Sequence, residues 1–182
     1  MASGLFAARE KISKLKAILD LGFKAPIKET DMVLYLGASH GVTALLVSGM
    51  AGENGFVFCV EMSKDSMKYL LKVCETRANM APLLFDASLP LQYKGLVAKC
   101  DVIYMDIAQK SQADILKKNA DMFLKKGGTI IFIVKTQSID TVKAPLLFLE
   151  DLKKQLSWME IDFIADLDKT HAKHYAVIGK KK

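Results

Sequence analysis

No stretch of the 182 residues comes near 18 uninterrupted apolar positions, the length a membrane-spanning helix needs. The first residues mix Phe6 with Arg9, Glu10 and Lys11 where a secretory leader would be apolar, so secretion and membrane spanning are both disfavoured. Cysteine is scarce. Cys59, Cys74 and Cys100 are odd in number, lie among apolar neighbours and show neither C-x-x-C nor Cys/His ligand spacing, which supports neither a disulfide framework nor a zinc site. They read as buried, reduced thiols of an intracellular protein. His40, His171 and His174 form no metal motif, and no metal is expected. Internal repeats, linkers and low-complexity tracts are missing apart from the terminal Lys180-Lys181-Lys182, so residues 1–182 are expected to form one domain. A chain of this length can bury a stable core without disulfides or metals. Its net charge of +6 leans towards a polyanionic partner without demanding one.

What is present is alternation. After a first helix over about residues 3–21, with Ile12, Leu15 and Leu19 on one face, apolar runs and helical patterns follow each other through short connections, the signature of an α/β fold. Strands are predicted at 32–37, 56–61, 82–85, 101–106 and 128–134, several of them nearly all apolar, as parallel strands covered on both faces are. Met67, Leu70, Leu71 and Cys74 recur at helical spacing behind Ser63, a candidate N-cap. Ser111 and Asp114 open another helix, expected to run to a left-handed cap at Gly127-Gly128. A further helix carries Leu146, Leu149, Leu152 and Leu156, and Pro145 either starts or bends it. The segments Trp158 to Ala165 and His174 to Gly179 lie too close for a helical crossover and should pair antiparallel. The expected sheet has seven strands, mostly parallel, with a C-terminal antiparallel hairpin.

The first strand leads into a glycine loop, Val33-Leu-Tyr-Leu-Gly-Ala-Ser-His-Gly-Val-Thr43. Gly37, Ala38 and Gly41 let backbone approach a ligand closely, and the helix opening at Val42 and Thr43 presents N–H groups to an anion. Glu61 closes the next strand, Phe56-Val-Phe-Cys-Val-Glu61, where a carboxylate can accept both hydroxyls of an adenosine ribose. The spacing Gly37-x-x-x-Gly41 is not the G-x-G-x-x-G of dinucleotide folds. It favours a cofactor carrying a carboxylate and an amine, such as S-adenosylmethionine, over one carrying a pyrophosphate. An ordinary strand, turn and helix with a surface glutamate is the competing reading, and a small NAD-type oxidoreductase is opposed by the missing fingerprint and substrate domain.

Asp106 and Lys135 end the fourth and fifth strands, at the carboxyl edge where ligands bind in open α/β sheets, and together they suggest a shared site. Asp86, after Pro82-Leu-Leu-Phe85, either meets an adenine amino group or caps a turn, and the small Ala87 suits a flat base. Gln109 either bonds the amino-acid end of the cofactor or caps the next helix. Lys14, taken alone, reads as a solvated helix lysine.

Taken together these segments resemble the fibrillarins, the RNA 2′-O-methyltransferases of box C/D ribonucleoproteins. The resemblance runs from about Ser13 to Gly179. It is carried by Ser13-Lys-Leu15, Val33-Leu-Tyr-Leu-Gly-Ala38 with Gly41 and Thr43, Val60-Glu61 with Ser63, and Arg77-x-Asn79-x-x-Pro82-x-x-x-Asp86-Ala87-x-x-Pro90-x-x-Tyr93. Asp101-Val-Ile103, Asp106-x-Ala108-Gln109, Phe123-Leu124-x-x-Gly127-Gly128, Lys135, and His174 with Val177 and Gly179 complete it.

The resemblance implies a Rossmann-like class I methyltransferase fold whose S-adenosylmethionine site is lined by Val42, Thr43, Glu61, Met62, Asp86, Ala87 and the run Asp106, Ile107, Ala108 and Gln109. It raises Lys14, Asp106, Lys135 and His174 to a candidate catalytic cluster, with Lys135 assigned as base beside Asp106. It also implies a box C/D guide RNA, a target rRNA or tRNA, a Nop-family scaffold and a kink-turn-binding protein as partners. The family's small N-terminal β-rich domain and Gly/Arg-rich tail are not among these residues, which suggests an archaeal-type cytoplasmic setting over a nucleolar one. His40 and Val42 stand where Ser and Thr are usual, Ser88-Leu89 replaces a basic pair, and Lys173 replaces an acidic residue. A stand-alone RNA methyltransferase and a non-catalytic scaffold subunit are the rival readings.

Overall fold

The computed structural model describes residues 13–23, 26–136, 145–169 and 171–182, with 145–149 as backbone alone. In chain order it runs α1 (Lys14–Asp20), β1 (Met32–Leu36), α2 (Val42–Ala51), β2 (Phe56–Glu61), α3 (Lys64–Cys74), β3 (Met80–Leu84), β4 (Cys100–Met105), α4 (Gln112–Phe123), β5 (Leu124–Lys135), α5 (Pro145–Gln155), β6 (Met159–Asp166) and β7 (His174–Lys181). A 3₁₀ turn, Pro90–Tyr93, precedes β4. The expected start of the first helix, with Ile12, and the side chains of Leu146 and Leu149 lie outside the described residues. No helix among the described residues is long and apolar enough to cross a membrane.

One seven-stranded sheet organises the chain, in the order β3-β2-β1-β4-β5-β7-β6. The first five strands are parallel and β7 is inserted antiparallel between β5 and β6. Because side chains alternate across a strand, each apolar run serves two layers. Leu34, Leu36, Phe58, Val60, Ile103, Met105 and Phe132 face a core closed by α4 and α5. Val33, Tyr35, Val57, Cys59, Val102, Tyr104 and Ile131 face the opposite core, closed by α1, α2 and α3. Burial on both faces is why these strands carry almost no polar residues.

Local chemistry sets the ends of the elements. Ser13 accepts from the Lys16 N–H and caps α1, and Ser63 accepts from the Ser66 N–H and caps α3 as expected. Asn79, within the Arg-x-Asn-x-x-Pro series, donates to the carbonyls of Ser48 and Gly52 at 3.1 and 2.7 Å and so closes the end of α2. Pro145 starts α5. Two expectations need correction. β3 begins two residues before Pro82, and α4 ends at Phe123, with β5 starting at once from Leu124. Gly127 is left-handed, with φ of 72°, but inside β5. There the pairing with β4 jumps from Cys100↔Leu124 to Val102↔Thr129, so the glycine accommodates a bulge and does not cap a helix.

Candidate active site

β1 lies between β2 and β4, so the chain reverses its direction of winding between β1 and β4. The loops leaving their carboxyl ends diverge there and open a crevice. Gly37 begins the β1 loop with φ of 82°, and a Cβ on it would sit 2.5 Å from Ile107 Cγ2 and 2.6 Å from the Asp106 carbonyl oxygen. Glycine is required because the β4 loop crosses at that distance. The carbonyl of Val60 accepts from the N–H groups of both Gly37 and Ala38. Gly41, left-handed at φ of 86°, precedes α2 with no side-chain cap, so the helix opens with its first N–H groups unsheathed.

Glu61 is buried at the tip of β2. Its Oε2 accepts from the Ser39 N–H at 2.8 Å and its Oε1 from the Ser63 N–H at 2.7 Å. Each oxygen keeps acceptor capacity for one more donor. The carboxylate thus both fixes the loop and presents two acceptors at its mouth.

Two clefts meet at this edge. The first is lined by Gly37, Ser39, Val60, Glu61, Met62, Phe85, Ala87, Asp106, Ile107, Ala108 and Gln109. The second is lined by Lys14, Tyr35, Gly37, Ala38, Ser39, His40, Val42, Thr43, Asp106 and Lys135. Gly37, Ser39 and Asp106 belong to both and form the partition between them. Asp86 lines neither: its Oδ1 accepts from the Ser88 N–H at 2.8 Å, an Asx turn. Ala87 is held more firmly, because its carbonyl accepts from buried Asn119 at 2.9 Å and from the Tyr93 hydroxyl at 3.3 Å. Gln109 donates to the Met62 sulfur at 3.7 Å over the first cleft.

At the partition, Lys14 Nζ lies 2.9 and 2.7 Å from the two Asp106 oxygens, and Lys135 Nζ lies 2.9 Å from Oδ1. The three side chains are 15–22% exposed. Burial alone would raise the Asp106 pKa, but the charges of Lys14 and Lys135, with the hydrogen bonds they donate, hold it below the ordinary carboxylate value. Sheet register adds the fourth residue: His174 stands opposite Lys135 in the β5–β7 ladder. Its Nδ1 is 2.7 Å from the Ala172 carbonyl, which can only accept, so that nitrogen carries the proton. Burial depresses the His174 pKa against the Ala172 bond, and Lys14 and Lys135 push the same way as burial. The ring is neutral near pH 7, with Nε2 its acceptor. Tyr35, under the second cleft, has its hydroxyl pKa pushed far up by burial and then by the Asp106 charge.

The candidate residues therefore fall into two groups: Gly37, Glu61, Met62, Ala87 and the Asp106 to Gln109 run line one cleft, while Ala38, Val42 and Thr43, expected at the cofactor, line the other with Lys14, Asp106 and Lys135, and Gly41, Asp86 and His174 line neither. Other contributors were not singled out from sequence. Gln112 is fully buried, and its amide exchanges hydrogen bonds of 3.3 Å with the Lys135 carbonyl and N–H, which fixes the backbone beneath the lysine. Ser39, Val60 and Phe85 line the first cleft, and Asn119 supports it. A glutamine at the first position of a helix is an ordinary surface residue in a sequence; only its burial marks it.

Comparison with known proteins agrees with this geometry. The fibrillarin family model matches residues 8–182. A fibrillarin-like rRNA/tRNA 2′-O-methyltransferase of Methanopyrus kandleri is 40% identical over 171 residues, covering 92% of this chain and 74% of its own. A solved fibrillarin/Nop5p complex superposes with a TM-score of 0.89 at 37% identity, covering 93% of this chain and 81% of that one. Aeropyrum pernix fibrillarin, solved with natively bound S-adenosyl-L-methionine, gives a TM-score of 0.84 at 36% identity, covering 91% and 74%.

Proposed function

The chain belongs to the fibrillarin family, and from that premise we propose that it is an S-adenosylmethionine-dependent ribose 2′-O-methyltransferase acting on rRNA or tRNA. The observation that carries this reading is the Asp106 carboxylate, shared by the two clefts and gripped by Lys14 and Lys135. One cleft suits a nucleoside and the other a hydroxyl acceptor beside a cationic pair.

The donor set of the first cleft fits the cofactor. Glu61 offers two acceptors to a ribose diol and Phe85, Ala87 and Ile107 supply apolar walls for a base, while the N-terminus of α2, where Val42 and Thr43 line the second cleft, suits the carboxylate of the amino-acid end, so the cofactor reaches across the Gly37–Asp106 partition. When bound, S-adenosylmethionine supplies an electrophilic methyl group on a sulfonium. The protein's part is to orient a 2′-hydroxyl and remove its proton as the new bond forms. Two groups can accept that proton: Lys135, in the amine form left after its own proton has gone to solvent, and His174 through Nε2. We assign it to Lys135, because Lys135 lines the acceptor cleft and His174 lines neither cleft. Asp106 holds the Lys135 ammonium formed, Lys14 neutralises Asp106 and attracts the adjacent phosphate, and His174 fixes the far side of Lys135.

Target choice is assigned to partners. A charge of +6 attracts phosphates without choosing a base, and the described residues form the sheet domain with no separate base-reading module among them. A box C/D guide RNA, a Nop-family scaffold and a kink-turn-binding protein supply that selection in this reading, in an archaeal-type cytoplasmic particle. The complex of a structural relative with Nop5p supports the scaffold. The experiment is single-turnover methylation in the assembled particle, with and without guide. Guide-dependent 2′-O-methylation of one nucleotide is expected, and Lys135→Ala should slow it by at least about a hundredfold with cofactor affinity nearly unchanged. Site-specific product without guide would overturn the guided reading, and a near-normal rate in the variant would remove Lys135 from the proton transfer.

A further inference from the structure

One side of the acceptor cleft is aromatic and apolar. His40 and Val42 line that cleft together with Lys14, Asp106 and Lys135. The His40 ring lies 4.7 Å from the Tyr69 ring, with the planes inclined at 47°. The Ser39 hydroxyl is 3.1 Å from His40 Nδ1, and the Ser39 N–H is bound to Glu61, so the histidine is tied to the loop that organises the first cleft. Tyr69 is 54% exposed and Val42 69% exposed. Neither serves the core: α3 buries Met67 and Leu70, and α2 buries Ala44 and Val47.

Stabilising an aromatic pair in water beside a charged cleft makes physical sense when a ligand covers it. Nucleic-acid binders place aromatic rings next to cationic residues because a ring packs against any sugar or base while the cations hold the phosphate. We propose that His40 and Tyr69 form a subsite for the nucleotide adjacent to the one that is methylated. The ring faces pack against its ribose and base, and the contact is indifferent to base identity. The subsite rests on the ribose methyltransferase reading above. It adds a positioning function: by gripping the neighbouring nucleotide it sets the 2′-hydroxyl against Asp106 and Lys135, and it does so with residues of this chain rather than of a partner.

The test is steady-state methyl transfer to a target RNA in the assembled particle, with cofactor affinity measured separately by calorimetry. His40→Ala and Tyr69→Ala are each expected to raise the KM for RNA about five- to tenfold, with kcat and cofactor Kd within twofold. The double variant should be little worse than either, since the two rings act as one surface, and Tyr69→Phe, which keeps the ring, should recover most of the affinity. In parallel, 4-thiouridine is placed in turn at each nucleotide flanking the methylated one, and its photo-crosslinks are mapped; a crosslink to Tyr69 from an adjacent position is expected. An unchanged RNA KM in both alanine variants, a loss of cofactor affinity in place of RNA affinity, or no Tyr69 crosslink from any position while transfer proceeds overturns the subsite alone. Failure of the wild-type particle to methylate ribose overturns the enzymatic reading and the subsite with it.

Discussion

Replacing Asp106 by Asn keeps the shape of the side chain and removes the charge that two lysines share. Lys14 and Lys135 then face each other across a neutral amide, losing three contacts of 2.7 to 2.9 Å to a carboxylate. Removing one partner of a fully buried ion pair costs about 3–5 kcal/mol. Here the side chains keep 15–22% of their exposure, so the ammonium groups can recover some hydration, and the expected loss is at the lower end, about 3 kcal/mol. Urea unfolding at pH 7 measures it. Asp65→Asn is the control: Lys68 and Asp65 also pair at 2.9 Å but are 72% and 90% exposed, and that pair should contribute roughly 0.5 kcal/mol or less. The pH dependence follows from the depressed Asp106 pKa. The stabilisation is complete above the ordinary carboxylate value of 3.8 and is lost as pH falls through the lower folded-state value, so wild type and Asp106→Asn converge in that acid range. A loss at pH 7 under about 1 kcal/mol, or no larger than the Asp65 control, would refute the reading that the Asp106 ion pairs with Lys14 and Lys135 stabilise the fold.

Glu61→Ala should weaken cofactor binding by about 1.5–3 kcal/mol, the range for hydrogen bonds to a charged group; calorimetry that finds wild-type affinity in a folded variant would dismiss the ribose role. Gly37→Ala and Gly127→Ala form a matched pair, both at positive φ, but only Gly37 meets backbone when a Cβ is added. Gly127→Ala should lose about 1 kcal/mol from backbone strain alone, whereas Gly37→Ala should lose more and also abolish cofactor binding, and equal unfolding midpoints would contradict the close crossing of the two loops. His174 has a folded pKa below 6.5, so the unfolded chain takes up its proton first and stability falls as pH drops from 6.5 through that lower value. His174→Asn should flatten this decline in urea midpoints measured between pH 8 and 5, and an identical slope in the variant would assign the decline elsewhere.

The sheet was legible because its strands are buried on both faces: runs such as Thr129 to Val134 have no other economical use. The candidate carboxylates were legible by position, since Glu61 and Asp106 directly end or follow apolar runs. The end of α4 was misplaced because Lys125-Lys126-Gly127-Gly128 has the composition of a turn, while the contact that makes it strand is the pairing of Leu124 with Cys100, far away in sequence. Lys14 was silent on its own, as its partner Asp106 is 92 residues distant, and only the family resemblance lifted it above other helix lysines. Gln112 and Asn119 look like the polar face of an amphipathic helix, yet their amides bond Lys135 and Ala87 across the core. Polar residues that serve a distant backbone leave no local periodicity to detect.

The insertion of β7 between β5 and β6 also orders events on the ribosome. Every described residue of the nucleoside cleft precedes residue 110, and Lys135 completes the trio with Lys14 and Asp106. His174 arrives with the final strand, and until it does the stretch Thr129 to Lys135 of β5, apolar from Ile130 to Val134, is an edge with no neighbour on one side. An edge of that length is a template for pairing with other chains. A nascent chain therefore holds the residues of its cofactor cleft, and Asn119 of α4 that supports Ala87, before His174 is made, and its period of greatest aggregation risk is the interval in which residues 136–173 are being made.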